Sequence, residues 1–437
     1  MNGTCTSIQC LNDDCLFHIF KIMEICHRLD LESVCQRWKR IIAPLWKLTH
    51  KFDVTGREFG YKYQQSDKKR DVNVEICREI ISRCYPYLTE INLSRSSGQF
   101  ERASVINSGH DCEIDAYAIP SWQRKIHDAL AGVETFLSQC ENIERLFLCS
   151  CVLDVTDKFF EKFFENNRKL RSIVLSNYRL SGKTLSLLPL GTLESIELYH
   201  CIIVDNKNYE SSFASESPNL HTLSVVNLLN CCDFAHKVLP VSTSKLVRLH
   251  LINDDITRKL SSNICDLKNL TYLNLRKSIL DDSLLALIID NCKKLIVLDI
   301  SFIFALSNAS LRKTNSLRHL ECLNVGFSDN FTDAGFVNLS ENLLVLDVSG
   351  SDISIDAILM ILNRMQKLKR LDLNFLEHLN MSFVESAIEI VSRRSNNIPL
   401  EVYLIDVPID IEEIRNTCPL IEFKDNSVRL GFHHYIK

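Results

Sequence analysis

Leu270-Thr-Tyr-Leu-Asn-Leu275, Leu295-Ile-Val-Leu-Asp-Ile300, Leu320-Glu-Cys-Leu-Asn-Val325, Leu343-Leu-Val-Leu-Asp-Val348 and Leu368-Lys-Arg-Leu-Asp-Leu373 are five versions of one phrase. A large apolar residue is followed by a second three positions later and a third two positions after that. Working outward, earlier copies begin at Leu88, Ile143, Leu170, Leu193, Leu220 and Leu246. From Leu170 to Leu368 the successive starts are 23, 27, 26, 24, 25, 25, 23 and 25 residues apart. Apolar residues placed at random do not keep such a period over nine units.

A unit of about 20–29 residues built on this phrase is a leucine-rich repeat. The flanks agree, since the pattern expects a small polar residue three positions after the phrase and an apolar one two later. Cys151 with Leu153 and Cys201 with Ile203 fit fully; Ser278 with Leu280, Ser351 with Ile353 and Asp254 with Ile256 fit with substitutes. Between phrases the apolar period changes to that of a helix. Phe159, Phe160, Phe163 and Phe164 share a face, as do Leu284, Leu287 and Ile288, and later Ile358, Ile361, Leu362 and Met365. Thr156, Asp282, Thr332 and Ser354 are expected N-caps. Cys84, Cys140 and Cys292 close helices ahead of the next strand, as in the cysteine-containing subclass of these repeats. The predicted fold is an α/β solenoid, a leucine-rich-repeat horseshoe with a parallel concave sheet and outer helices. One unit cannot bury its own apolar face, whereas a stack of them buries a continuous core.

The array is expected over residues 47–424. Thr49–Val54 reads as a degenerate first strand, and Leu400–Leu404 and Pro419–Phe423 as weak last units before a tail at 425–437. Residues 95–120 are polar and lack the phrase, so an insertion loop is expected there, with a helix over Ser121–Ser138. The chain has 437 residues, a net charge of -5 and 18 cysteines. That charge gives no general attraction to nucleic acid or an anionic membrane. No apolar run reaches the roughly 18 residues of a membrane span, and the start lacks a signal-peptide pattern. A cytoplasmic setting, extending to the nucleus, is therefore expected. Most cysteines are read as reduced core residues.

Residues 8–46 do not carry the phrase. Leu16, Ile19, Phe20 and Met23 form one face of a helix, with Asn12 or Asp13 as its N-cap. A second face, Leu31, Val34, Cys35, Trp38, Ile41 and Ile42, is expected to end at Ala43-Pro44, where proline opposes continuation. Leu11, Leu16, Ile19, Phe20, Leu29, Leu31, Val34, Cys35 and Trp38, at this spacing, resemble an F-box. Asn12 departs from the proline usual there, and asparagine can cap the helix instead. The order F-box then leucine-rich repeats resembles the F-box/leucine-rich-repeat family. That resemblance implies the substrate-recognition subunit of an SCF-type cullin–RING ubiquitin ligase. It further implies docking of a Skp-type adaptor through Leu11, Leu16, Ile19, Phe20, Met23, Leu31, Val34, Cys35 and Trp38.

Side chains alternate along a strand, so the residues between the leucines face out. Arg145, Phe147, Tyr199, Arg248, His250, Tyr272, Arg276, Arg370 and Asn374 are the expected contacts to a substrate protein. Arginine and aromatic side chains are common interface anchors. Asp299, Asp347 and Asp372 are read as serving the repeat geometry.

Chemistry is not encoded by any motif. Gly182-Lys183-Thr184 lacks the glycine five positions earlier that a phosphate loop needs, since position 177 is Asn177. Cys149-Ser-Cys151, Cys231-Cys232 and His433-His434 are the tightest metal-type groupings. No Cys-x-x-Cys or His-Glu-x-x-His accompanies them, so no metal site and no cofactor are expected. The reading is thus a non-enzymatic adaptor. The alternatives are a repeat scaffold outside any ligase, and an enzyme revealed by one hyper-reactive cysteine.

Overall fold

The structure is a computed structural model describing residues 8–53, 74–93, 133–149, 155–205, 219–226, 245–252, 267–414 and 418–424. These fall into two compact units. Among the described residues, the first holds those up to Leu193 together with His200–Asp205, and the second holds Glu194–Tyr199 and everything from Asn219 on. The expected insertion at 95–120, most of the helix expected over Ser121–Ser138, and the tail lie outside the described residues. Of that expected helix, Val133–Leu137 is observed.

Every copy of the phrase becomes a strand, and each strand starts two residues after the first apolar position. In the first unit Lys51–Asp53, Glu90–Leu93, Arg145–Cys149 and Ser172–Ser176 lie parallel in chain order, in the register Lys51↔Glu90↔Arg145↔Ser172. The degenerate first strand at Thr49–Val54 is therefore real, over Lys51–Asp53. In the second unit Ser195–Tyr199, Thr222–Val226, Arg248–Ile252 and Tyr272–Asn274 run in chain order. Val297–Asp299, Cys322–Asn324, Val345–Asp347, Arg370–Asp372, Leu400–Tyr403 and Ile421–Lys424 continue that order, all parallel. With helices between the strands, this is an α/β solenoid.

The unit around Val297 shows how the sequence builds it. Leu295, Leu298 and Ile300 are completely buried. Asp299 accepts the backbone N–H of Ser301 at 3.0 Å and its hydroxyl at 2.7 Å. That bond turns the chain off the strand, and Phe302 then takes a left-handed φ of 59°. Asn274 and Asn324 do the same for the N–H groups of Arg276 and Gly326, and Asp347 for Ser349. Asp299 and Asp347 thus serve the turn, whereas Asp372 is bound by Arg370. Ser278 repays the small polar position by donating to the carbonyl of Leu251 at 2.6 Å, and Cys201 by donating to that of Leu175.

On the helix side one clasp recurs. Asp282 accepts from the N–H and hydroxyl of Ser307 and from the hydroxyl of Ser310, and Asp333 from the N–H and hydroxyl of Ser354. In the first unit Asp157 takes the N–H of Ser181 and the hydroxyl of Thr184. This corrects one expected cap: Asp281, not Asp282, caps the helix Asp282–Asn291 by accepting from the Leu284 N–H. Asp282 is freed to bind the next repeat. Thr156, Thr332 and Ser354 stand at the expected cap positions, and Ser354 alone of the three caps with its side chain.

Candidate protein-docking sites

The N-terminal motif is three helices, α1 (Asp13–Ile22), α2 (Ile25–Val34) and α3 (Gln36–Lys47). Asn12 caps α1, its side chain accepting the Cys15 N–H at 2.8 Å, so asparagine does the work expected of it where proline is usual. Two expectations are corrected. The second apolar face is not one helix, because Cys35 is extended (φ -165°, ψ 164°) and separates α2 from α3. Pro44 does not end α3 but lies inside it. The lost N–H bond falls on exposed Arg40, whose carbonyl water can satisfy, while Leu45 and Trp46 beyond the proline are buried and hold the last turn.

The nine residues expected to face an adaptor divide by burial. Leu16, Phe20 and Trp38 form the core of the motif, with the Phe20 and Trp38 rings 4.9 Å apart. Leu11, Ile19, Met23 and Leu31 are half-buried, and Val34 and Cys35 are exposed. Ile22, absent from the expected set, is the most exposed large apolar residue described, at 85%. Its helical spacing places it off the Leu16–Phe20 face, which is the signal that it points outward.

Polar residues that periodicity could not flag hold the motif together. Arg37 donates to Asp13 and to the carbonyls of Gln9 and Leu11, tying the segment before α1 to α3. Glu32 accepts from the Trp46 indole N–H and from Arg83, 2.9 Å away on α4 (Val74–Cys84). A carboxylate removed from water is stabilised by two such donors.

The expected substrate contacts lie on the strand faces of both units. In the first, Arg145 is exposed and pairs with Glu90 at 2.7 Å, Lys51 pairs with Glu90 at 2.9 Å and with Asp53 at 3.0 Å, and Phe147 is half-buried. These hydrogen bonds to Glu90 and Asp53 raise the Lys51 pKa. In the second, Arg248 is exposed and His250 half-buried. They converge on Tyr272, His250 stacking at 4.5 Å and the Arg248 guanidinium lying 5.9 Å from the ring centroid. Tyr199, Tyr272, Arg276, Arg370 and Asn374 are buried. Tyr199 donates to Glu197 at 2.7 Å, and Arg276 sits 4.5 Å over Phe302. Arg370 binds Asp372 at 2.9 Å and lies 4.1 Å from the Tyr403 centroid. Asn374 takes the Ile405 N–H at 2.8 Å and donates to Ser349. Val297, Cys322 and Val345 were missed; in register with Tyr272, they form with it a buried apolar row.

Gly182–Ser186 is a short helix in which Lys183 pairs with Glu161 and Thr184 with Asp157. Burial pushes the thiols of Cys77, Cys84, Cys140 and Cys322 up to about 12, so they stay protonated and unreactive at neutral pH. Cys10 is disulfide-bonded, unlike the reduced majority.

Residues 8–49 match the family model of the F-box domain. No curated protein matches the chain. Among solved structures it is similar to the complex of Rad7 and Elc1 in yeast, at 14% identity over 75% of this chain and 91% of that one, with a TM-score of 0.48. An internalin from Listeria monocytogenes is 16% identical over 94% of this chain and 97% of its own, with a TM-score of 0.48. A leucine-rich-repeat protein of Leptospira interrogans is 16% identical over 61% and 62%, with a TM-score of 0.40. The chain thus carries an F-box domain at 8–49, followed by units built on the leucine-rich repeat phrase.

Proposed function

We propose that the chain is a non-catalytic substrate-recognition subunit of a cullin–RING ubiquitin ligase. The F-box match at 8–49 is the observation that carries this reading. The motif meets a Skp-type adaptor through Leu11, Ile19, Met23, Leu31, Val34 and Cys35, with Ile22 beside them. Leu16, Phe20 and Trp38 act from inside, by holding that surface in shape. The strand faces, through Arg145, Phe147, Arg248, His250 and their neighbours, receive the substrate protein. Tethering raises the concentration of a substrate lysine near the ubiquitin carrier, and the reaction itself belongs to other subunits.

Copurification of the full chain with a Skp-type adaptor and cullin tests the reading. Val34→Asp and Ile22→Asp change exposed positions, so the motif stays folded while adaptor binding falls at least tenfold. An intact chain that ignores the adaptor at micromolar concentration leaves a repeat scaffold and removes the ligase.

A further inference from the structure

The junction of α1 and α2 carries Glu24, Cys26 and His27. Glu24 occupies the N-cap position of α2, yet its side chain caps no backbone N–H. Its Oε2 instead lies 3.9 Å from Cys26 Sγ and 3.9 Å from His27 Nδ1. One carboxylate oxygen, one sulfur and one ring nitrogen all fall within 4.8 Å of one another. Glu24 is not yet helical (φ -56°, ψ 145°), and the helix that carries Cys26 and His27 starts at Ile25.

The two separations made by Glu24 approach those of a tetrahedral zinc site. Zinc binds sulfur at about 2.3 Å and imidazole nitrogen or carboxylate oxygen at about 2.0–2.2 Å. At the tetrahedral angle, ligand atoms with those bond lengths stand roughly 3.3–3.6 Å apart. The two 3.9 Å pairs are within about half an ångström of that spacing. Glu24 and His27 are half exposed, so rotation of their side chains closes the gap without moving the helix. We propose that Glu24, Cys26 and His27 bind a divalent cation of zinc type, with the fourth position open to water.

The donor set selects the metal class. Thiolate with imidazole favours zinc, whereas magnesium and calcium seek oxygen-only shells. On binding, the Cys26 thiol gives its proton to solvent and its sulfur to the metal. His27 binds through Nδ1 as the neutral ring, and Glu24 through one oxygen. Without metal the Cys26 thiol is held above its ordinary pKa because burial, and then Glu24 and Asp30, oppose its anion. A cation at the junction removes that opposition. Sequence spacing does not announce the site, since neither a Cys pair nor a His pair is involved and one ligand is a carboxylate. The inference stands apart from the ligase reading.

The full chain, stripped of metal, is titrated with cobalt(II), then with zinc(II) in competition. The expected spectrum has a thiolate-to-cobalt band in the near ultraviolet with four-coordinate bands in the visible, bleached by zinc. With 18 cysteines in the chain, the comparison with variants is decisive. Cys26→Ser removes one equivalent of cobalt binding and its thiolate band, and His27→Gln and Glu24→Gln each weaken that equivalent at least tenfold. The same stoichiometry and affinity in wild type, His27→Gln and Glu24→Gln would falsify the site. These two half-exposed substitutions keep that test open should Cys26→Ser fail to fold.

Discussion

The first strand position behaves differently in the two units. In the first it holds Lys51, Glu90, Arg145 and Ser172, a row of alternating charge in which Lys51 and Arg145 are more than half exposed. In the second it passes through half-buried Ser195 and Thr222 and exposed Arg248 to a run of four, Tyr272, Val297, Cys322 and Val345, all buried. Strand direction and register are the same, so side-chain chemistry decides where such a row is a charged, partly solvated surface and where, from Tyr272 to Val345, it closes into an apolar seam. A position that faces away from the leucine core is therefore not a free surface by right.

Three measurements sharpen or break this contrast, the largest effect first. Val297→Asp puts an unpaired charge into the apolar seam and costs about 3–5 kcal/mol in urea unfolding. Ser172→Asp, at the same position of the first unit, stays within about 1 kcal/mol. Equal losses would mean the rows do not differ. Asp282→Ala removes the clasp to Ser307 and Ser310 and costs about 1–3 kcal/mol near pH 7. Burial acts to raise the Asp282 pKa, but the Ser307 and Ser310 hydrogen bonds outweigh it and the net shift is downward. Its contribution is thus complete above the unfolded value of 3.8 and fades as pH falls through the lower folded value. A wild-type-to-variant difference that grows with acid would contradict the clasp. Smallest is Arg145→Ala, which loses an exposed ion pair and costs less than about 1 kcal/mol, shrinking further in 1 M salt.

The contrast also marks where sequence reading stopped. The phrase located all eleven strands it predicted, because two periods, strand and repeat, had to agree at every copy. Alternation aimed Tyr272, Arg276 and Arg370 away from the leucines, yet all three are buried. It could not show that neighbouring repeats and rings would cover them, since that depends on what stands at the same register one unit away. The Arg370 guanidinium is enclosed by Asp372 and by Tyr403, a residue 33 positions on. The N-terminal helices were legible as apolar faces, but not the break at Cys35. Val34, Cys35 and Trp38 fit one helical stripe whether or not the chain turns between them. Pro44 misled for a related reason: local propensity opposes it, and the burial of Leu45 and Trp46 overrides that.

Within each unit the strands formed by the repeat phrase pair with the next such strand in the chain, some two dozen to a few dozen residues away in most cases. Ordering therefore needs no distant segment: each repeat, once formed, is the template for its neighbour, and structure can spread from any starting point. A nascent chain of this design gains structure repeat by repeat as it leaves the ribosome. Damage to a single repeat halts the spread locally rather than dissolving the whole at once.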